Sequence, residues 1–359
     1  MKFNKALWPF AVVFKAIVQV RNWLFDHRIL RSESFDIPVI AVGNITVGGT
    51  GKTPHTEYLI RLLSNHYRVA FLSRGYKRKS KNFVVVQVSS TASEAGDEPL
   101  QIKRKFNHIV VAVDGNRRRG IAEIRRRFPE VNLIVLDDAF QHRYVSPSTS
   151  ILLTDFHRLI YEDRMLPVGR LREPVSGKAR ADIVIVTKCP NNIKPIGYRI
   201  ITKHLQLFPY QRLYFSTFRY DRVLPVFPDQ CIVPTDEPTD IGLYENVIAV
   251  SGIASPESFI HYVTHHCPSA RCVTFGDHHY FTAKDIARIQ RMAEQERPEN
   301  TLVIVTEKDA ARLIHNHRVD NSLRKVLVYL PLRVSFLLNQ GREFDAQILE
   351  AAQRSGQQP

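Results

Sequence analysis

Cysteine is scarce in this chain of 359 residues, with only Cys189, Cys231, Cys267 and Cys272. So few thiols exclude a disulfide scaffold, and with no cleavable secretory signal ahead of them a reducing cytosol is expected. Residues 265–272, HHCPSARC, offer four soft ligands at a spacing that fits no zinc pattern, so ordinary helix-end packing stands beside a metal site. A long clean apolar run is also missing. Residues 6–25 approach the roughly 20 apolar positions of a membrane span, but Pro9, Lys15, Gln19, Arg21 and Asn22 interrupt them. Acid is in deficit: 35 Asp and Glu face 50 Lys and Arg, a net charge of +15 that suits nucleic acid, a phosphorylated ligand or acidic lipid. With 44% hydrophobic and 24% charged residues the composition excludes disorder for most of the chain, and the length allows one very large domain or two ordinary ones.

On a helical wheel Leu7, Phe10, Phe14, Ile17, Val18 and Phe25 share a broad apolar face, with Lys15, Gln19 and Asn22 in a narrow polar strip. Trp8 and Trp23 sit near the two ends, and six basic residues against one acid in the first 32 suit an anionic leaflet. The expected element is an amphipathic helix lying on a membrane surface; the plainer alternative is a first helix packed on its own domain. Beyond Pro38, β-branched runs at 39–43, 69–73, 83–88, 108–113, 132–137, 151–155 and 183–188 alternate with helical patterns. That rhythm predicts a doubly wound α/β domain with a mostly parallel sheet. Residues 212–218 and 223–227 read as extended connectors, and further strands at 246–252, 271–276, 301–307 and 325–330 predict a second, smaller α/β domain. The expected division is 1–32 for the amphipathic helix, 33–210 for the large domain, 211–340 for the small one and 341–359 for a C-terminal helix with a frayed tail. No internal repeat is visible.

The sharpest local signal is VGNITVGGTGKTP at residues 42–54, which follows a buried-type strand and opens a helix. Gly48, Gly49 and Gly51 let backbone amides converge on a polyphosphate, with Thr50 between them, while Lys52 supplies a point charge and the Thr53 hydroxyl can ligate magnesium. Thr46 departs from the usual P-loop spacing, standing where its first Gly belongs. Asp137 and Asp138 end a buried strand and are the expected metal-side carboxylates of the same site. A lone Asp pair would be a common turn. VTKCP at 186–190 has the Lys of a guanine reader without its Asn or Asp, so ATP is the expected nucleotide.

Several strings now occur together: GNITVGGTGKTP (43–54), SRGY (73–76), AGDEP (95–99), DDAFQH (137–142), LPVGRLREP (166–174), SGIASPESF (251–259), FGDHH (275–279) and TEKDAARL (306–313). In this order they resemble the tetraacyldisaccharide 4'-kinases, or lipid A 4'-kinases, and the resemblance covers nearly the whole chain. It implies ATP- and Mg2+-dependent phosphorylation of the 4'-hydroxyl of a tetraacylated glucosamine disaccharide 1-phosphate, late in lipid A assembly. The place would be the cytoplasmic face of a Gram-negative inner membrane, with no nucleic acid and no obligate protein partner.

The resemblance also implies roles. Asp97 would take the proton of the acceptor hydroxyl, assisted by His278 from the second domain with Asp277 orienting it, which would require the domains to close. On sequence alone Asp97, ahead of Glu98 and Pro99, reads first as a helix N-cap, and the resemblance reverses that preference. Arg117 and Arg172 are the expected phosphate clamps, with Arg74, Tyr76, Glu98 and Gln141 as further substrate contacts. The basic runs at 74–81 and 117–127 are otherwise expected to be solvated faces, and His279 a surface or structural residue. Ala139 stands where the family commonly has Gly, a change expected to stiffen the turn, and Val168 and Arg170 replace small or apolar residues, a change expected to tune substrate fit. Glu307, Lys308 and Asp309 receive no role. The competing expectation is a switch or partitioning ATPase acting on a protein partner, disfavoured by Val47 where such proteins often carry a signature Lys. A nucleic-acid ATPase would explain the charge but not the apolar helix.

Overall fold

The computed structural model describes residues 7–355 apart from 77, 79, 81, 235–238, 254, 255 and 278. It divides into two compact units, Met1–Phe218 with Val334–Pro359, and Arg219–Arg333. The strands, in chain order, are β1 (Val39–Gly43), β2 (Val69–Ser73), β3 (Val84–Val85), β4 (Val110–Val113), β5 (Leu133–Asp137), β6 (Thr149–Asp155), β7 (Ile183–Thr187), β8 (Arg212–Tyr220), β9 (Leu224–Pro225), β10 (Asn246–Ser251), β11 (Arg271–Thr274), β12 (Thr301–Thr306), β13 (Leu327–Leu330) and β14 (Leu332–Phe336).

The large unit is built on a nine-stranded sheet in the order β14-β8-β7-β6-β1-β5-β2-β4-β3. Strands β1, β2, β5 and β7 are buried along their whole length because both faces are covered, which is why they read as unbroken apolar runs. Along β1 the pleat sends Ile40 and Val42 to a core shared with Leu59, Ile60 and Leu63 of helix Lys52–Leu63, while Val39 and Ala41 meet Ile121 and Ile124 of helix Arg117–Arg127. The expected α/β, doubly wound, mostly parallel architecture is what the chain adopts.

Several local expectations are corrected. Residues 212–218 are no connector: they lie in β8, paired parallel to β7, with Tyr214, Phe215, Ser216 and Thr217 buried. Only Val84–Val85 of the run 83–88 forms a strand, antiparallel to β4 at the sheet edge. The expected C-terminal helix reaches Ser355, the last described residue. Helix Gly341–Ser355 buries Phe344, Ile348 and Ala352, a four-residue repeat that lays one face on the large core.

Helix Trp8–Asp26 packs on its own unit, the plainer of the two expectations, and leaves much of its apolar surface exposed. Ala11, Val18 and Phe25, spaced by seven, are buried on the large unit, whereas Trp8, Phe10, Val12, Val13, Ile17, Val20 and Trp23 are each more than half exposed. The apolar surface is therefore split, and Phe10 and Ile17 do not share the inward face with Val18 and Phe25. Among the described residues no helix is long and apolar enough to cross a membrane.

The small unit carries the sheet β11-β10-β12-β13-β9, parallel except for β9. Its strings converge at the exits of β10 and β12. Asp309 is fully buried; it accepts from the Gly252 amide (2.8 Å) and the Thr306 hydroxyl (2.6 Å) and is paired with Arg312 (2.9 Å). This gives Asp309 a role that the sequence left open: it pins the turn after β10 to the turn after β12. His279 is structural as expected, stacked on Phe275 and bonded to Asp285 (2.9 Å), which closes the capping box of helix Ala283–Ala293. In the run 265–272, Cys267 is buried and Cys272 exposed, and among the described residues no group of three or more His, Cys, Asp or Glu is placed to hold a metal.

Candidate active site

Parallel pairing brings four strand exits to one edge of the large sheet. Val42 of β1 lies opposite Asp137 of β5, Leu72 of β2 opposite Leu136, and Ser73 opposite Val113 of β4. The phosphate-type loop, the acidic pair, Arg74 and the segment leading to Arg117 therefore emerge side by side, where open α/β sheets place their ligands.

Gly48 and Gly51 have φ of +110° and +84°, conformations that a side chain would strain, and Gly51 is the N-cap of helix Lys52–Leu63. Gly49 has open space where a Cβ would stand. Thr46 is compatible with the loop because its backbone bridges Leu171 instead of adopting positive φ. The segment 166–172 is laced along the loop, with Val47 N donating to Arg170 O (2.8 Å) and Arg172 N to Ile45 O (2.7 Å). The Arg170 guanidinium reaches within 3.8 Å of where a Gly48 Cβ would be, a further positive charge over the loop. Buried Thr50 accepts from Asn44 Nδ2 (2.7 Å), and its carbonyl accepts from Thr187 Oγ1 (2.9 Å).

The two carboxylates differ. Burial, then the charges of Glu98 and Asp138, push Asp137 up to about 7 against the pull of Lys52 and Arg117. Burial also opposes the charge on Asp138, but a hydrogen bond from Arg172 and the charges of Lys52 and Arg172 prevail and hold it at about 2. Lys52 Nζ stands 3.6 Å from Asp138 Oδ1, and Arg172 reaches Asp138 at 2.9 Å as well as the Asn44 side chain. Asp138 itself takes the left-handed conformation, φ +45°, whereas Ala139 does not, so the turn does not require glycine at position 139.

Arg117 is almost fully buried and donates to the carbonyls of Asp114 (2.5 Å) and Asp137 (3.3 Å); burial lowers it to about 10. Arg119 takes up the Asp114 carboxylate bidentately, and Arg126 and Arg127 pair with Glu123, so the rest of this basic run is mostly a paired, solvated surface. Gln141 Nε2 donates to Asn44 O. Arg74 and Tyr76 are exposed after β2, and the charge of Arg74 bears on both Arg117 and His142.

Helix Asp97–Lys105 is fastened to the loop helix through Thr53 Oγ1 to Glu98 Oε1 (3.2 Å), Gln101 to Glu57 (3.0 Å) and Lys105 to buried Glu57 (2.5 Å). Its N-cap is Gly96, and Asp97 is the exposed first residue. Asp97 is thus not the cap that the sequence allowed. In the small unit Asp277 is exposed, and His278 lies outside the described residues.

Asn44 and His55 were not singled out by sequence reasoning. The only signal for Asn44 was an amide immediately after an apolar strand, and a histidine on a helix carries none at all. Buried His55 bonds Gly51 O through Nδ1 (2.7 Å) and Ser216 Oγ through Nε2 (2.9 Å). Burial lowers it from 6.5 to about 4 despite the bond to Gly51. The unfolded chain therefore binds the proton first. The stability that neutral His55 contributes is complete above pH 6.5 and is lost as pH falls toward 4, a change on the order of 3 kcal/mol. Urea unfolding between pH 7 and 4.5 is expected to show this decline, and a flatter profile in His55→Asn; identical profiles would contradict it.

Among the described residues Asp137 Oδ1, Arg117 Nε and Arg172 Nε are buried without a hydrogen-bond partner. Such atoms are costly unless something else satisfies them. Hard oxygens from Thr53, Asp137 and Asp138 fit magnesium, and the glycine loop with Lys52 fits a polyphosphate.

The sequence model of a family described as tetraacyldisaccharide-1-P 4'-kinase matches residues 3–353. A protein of Bacteroides thetaiotaomicron called tetraacyldisaccharide 4'-kinase is 48% identical, covering 97% of this chain and 93% of the relative. One of the same name from Porphyromonas gingivalis is 44% identical over 98% of both chains. The solved structure of LpxK from Aquifex aeolicus in complex with ATP superposes with a TM-score of 0.74 at 27% identity, covering 96% of this chain and 98% of that one.

Proposed function

Because the chain belongs to the tetraacyldisaccharide-1-P 4'-kinase family, we propose that it transfers the γ-phosphate of ATP to the 4'-hydroxyl of a tetraacylated glucosamine disaccharide 1-phosphate, late in lipid A assembly. The observation that carries this reading is that Asp137 Oδ1, Arg117 Nε and Arg172 Nε are buried without a hydrogen-bond partner, on residues tied to the acidic pair that Lys52 of the glycine-rich loop also faces. ATP and Mg2+ are its cofactors. Lys52 and the loop amides hold the β and γ phosphates, and Arg172, already fixed by Asp138 and Asn44, offers its guanidinium to the charge on the transferring group. Thr53, Asp137 and Asp138 would hold magnesium, which supplies charge neutralisation on those phosphates. Asp97 takes the proton as the 4'-oxygen bonds to the γ-phosphorus and the bond to the β-phosphate oxygen breaks, releasing ADP. Arg74 and Tyr76, exposed after β2, contact the acceptor together with Glu98 and Gln141, whereas Arg117, expected as a phosphate clamp, is almost fully buried and braces the Asp137 backbone instead.

The test is ATP labelled at the γ-phosphate, incubated with the lipid disaccharide 1-phosphate in detergent micelles. Label is expected in the lipid. Label released only as inorganic phosphate would favour an ATPase that works on a protein partner.

The membrane surface supplies this substrate, and helix Trp8–Asp26 is the proposed means of reaching it. Its exposed surface carries Trp8, Phe10, Val12, Val13, Ile17, Val20 and Trp23 beside the polar Lys15 and Gln19, and each such apolar side chain contributes roughly 1.5–3 kcal/mol on leaving water. The double variant Phe10→Glu, Ile17→Glu is expected to lower co-sedimentation with anionic vesicles more than tenfold without altering the melting temperature. These two side chains are about two-thirds exposed, so unchanged sedimentation would remove the helix from that role.

A further inference from the structure

The phosphate loop is held from behind by a buried residue that touches no ligand-facing group. His55 sits one turn into helix Lys52–Leu63 and is almost completely buried, as is Ser216 on β8. The Gly51 carbonyl can only accept a hydrogen bond, so Nδ1, at 2.7 Å, carries the ring proton. Nε2 of the neutral ring is then an acceptor, and Ser216 Oγ donates to it at 2.9 Å. Ser216 is itself fixed, because its carbonyl accepts from Cys189 N (2.9 Å). Phe218, two residues on along the same face of β8, closes the other side: a Cβ on Gly51 would lie 2.6 Å from its ring.

The Gly51 peptide matters because a trans peptide is planar and its C=O and N–H point in opposite directions. A Gly51 carbonyl drawn back along the helix aims the Lys52 amide forward, among the unpaired N–H groups that a helix N-terminus offers to an anion. Gly51 has φ of +84° and no side chain, so little within the residue itself fixes that plane. We propose that His55 is a positioning residue of the phosphate loop: pinned by Ser216, it locks the Gly51–Lys52 peptide so that the Lys52 amide faces the β and γ phosphates of ATP. The inference rests on the nucleotide-binding reading of the loop. The residue types support it, since the backbone N–H of His55 already closes the helical bond to the same carbonyl (3.3 Å) and the ring adds a second, shorter one.

The experiment measures Mg-ATP affinity by calorimetry on the full chain in detergent, with KM for ATP and for the lipid acceptor and a melting curve for each variant. His55→Ala is expected to weaken Mg-ATP binding and raise KM for ATP by about tenfold, the worth of one well-placed hydrogen bond, while KM for the lipid stays unchanged. His55→Asn, whose Nδ2–H falls near the position of imidazole Nδ1, is expected to recover most of the ATP affinity although it loses the bond to Ser216. Ser216→Ala should shift ATP affinity in the same direction as His55→Ala but less. Equal loss in the Asn and Ala variants, or wild-type ATP affinity in His55→Ala with only a lowered melting temperature, would reduce His55 to a core residue and overturn the proposal. Wild-type protein that bound no Mg-ATP would overturn the nucleotide reading itself.

Discussion

Asp97→Asn is expected to lower kcat by about a hundredfold or more, the scale of losing a general base, with the Kd for ATP within about twofold of wild type. The position makes this a clean test. Asp97 is the exposed first residue of its helix, the N-cap is Gly96, and the packing that fixes the helix to the loop runs through Glu98, Gln101 and Lys105. A carboxylate in a first helical turn is worth roughly 0.3–1 kcal/mol to the helix. Loss of that interaction would move the melting temperature slightly and leave turnover alone. A kcat near wild type with a small drop in stability would therefore assign Asp97 to the helix and leave the acceptor proton without its carboxylate.

Lys52→Ala carries the second large effect. Lys52 directly follows the last glycine of the loop and opens its helix, and its ammonium lies 3.6 Å from Asp138. Removing a charge that acts on the transferring phosphates is expected to cost roughly 10²–10³ in kcat/KM for ATP. The fold should survive, because Asp138 keeps its shorter pair with Arg172 (2.9 Å) and Lys52 is only partly buried. Lys52→Arg is not expected to restore activity, since a planar fork does not replace a compact point charge at a loop shaped for it. Full activity in the Ala variant would mean that the loop binds no polyphosphate.

The parts of the site legible in the sequence are those where backbone chemistry restricts residue type. Gly48 and Gly51 occupy conformations that glycine adopts without strain, and the Lys-Thr pair opens a helix, so loop and order of elements could be read directly. The acidic pair was legible because four apolar residues of β5 lead into it. Other parts leave no pattern. Asn44 and His55 act through one or two hydrogen bonds each, and a single buried polar residue has no periodicity to betray it. Strand β8 mixes Arg, Tyr, Ser and Thr with its apolar residues and so resembled a connector; its burial comes from neighbours distant in sequence, β7 and the C-terminal helix. The first helix was read as one broad apolar face, when Val18 and Phe25 turn inward and Phe10 and Ile17 outward. A helical wheel shows which residues are apolar but not how many surfaces they serve.

Phosphorylation at one hydroxyl of a lipid-linked sugar is decided by where the new phosphate sits. A phosphorus–proton correlation spectrum of the lipid product should show a new phosphate coupled to the proton on C4' of the distal glucosamine, with the 1-phosphate signal unchanged. A new phosphate coupled elsewhere, or a second phosphate on the existing one, would contradict the account of the acceptor site even if ATP were consumed.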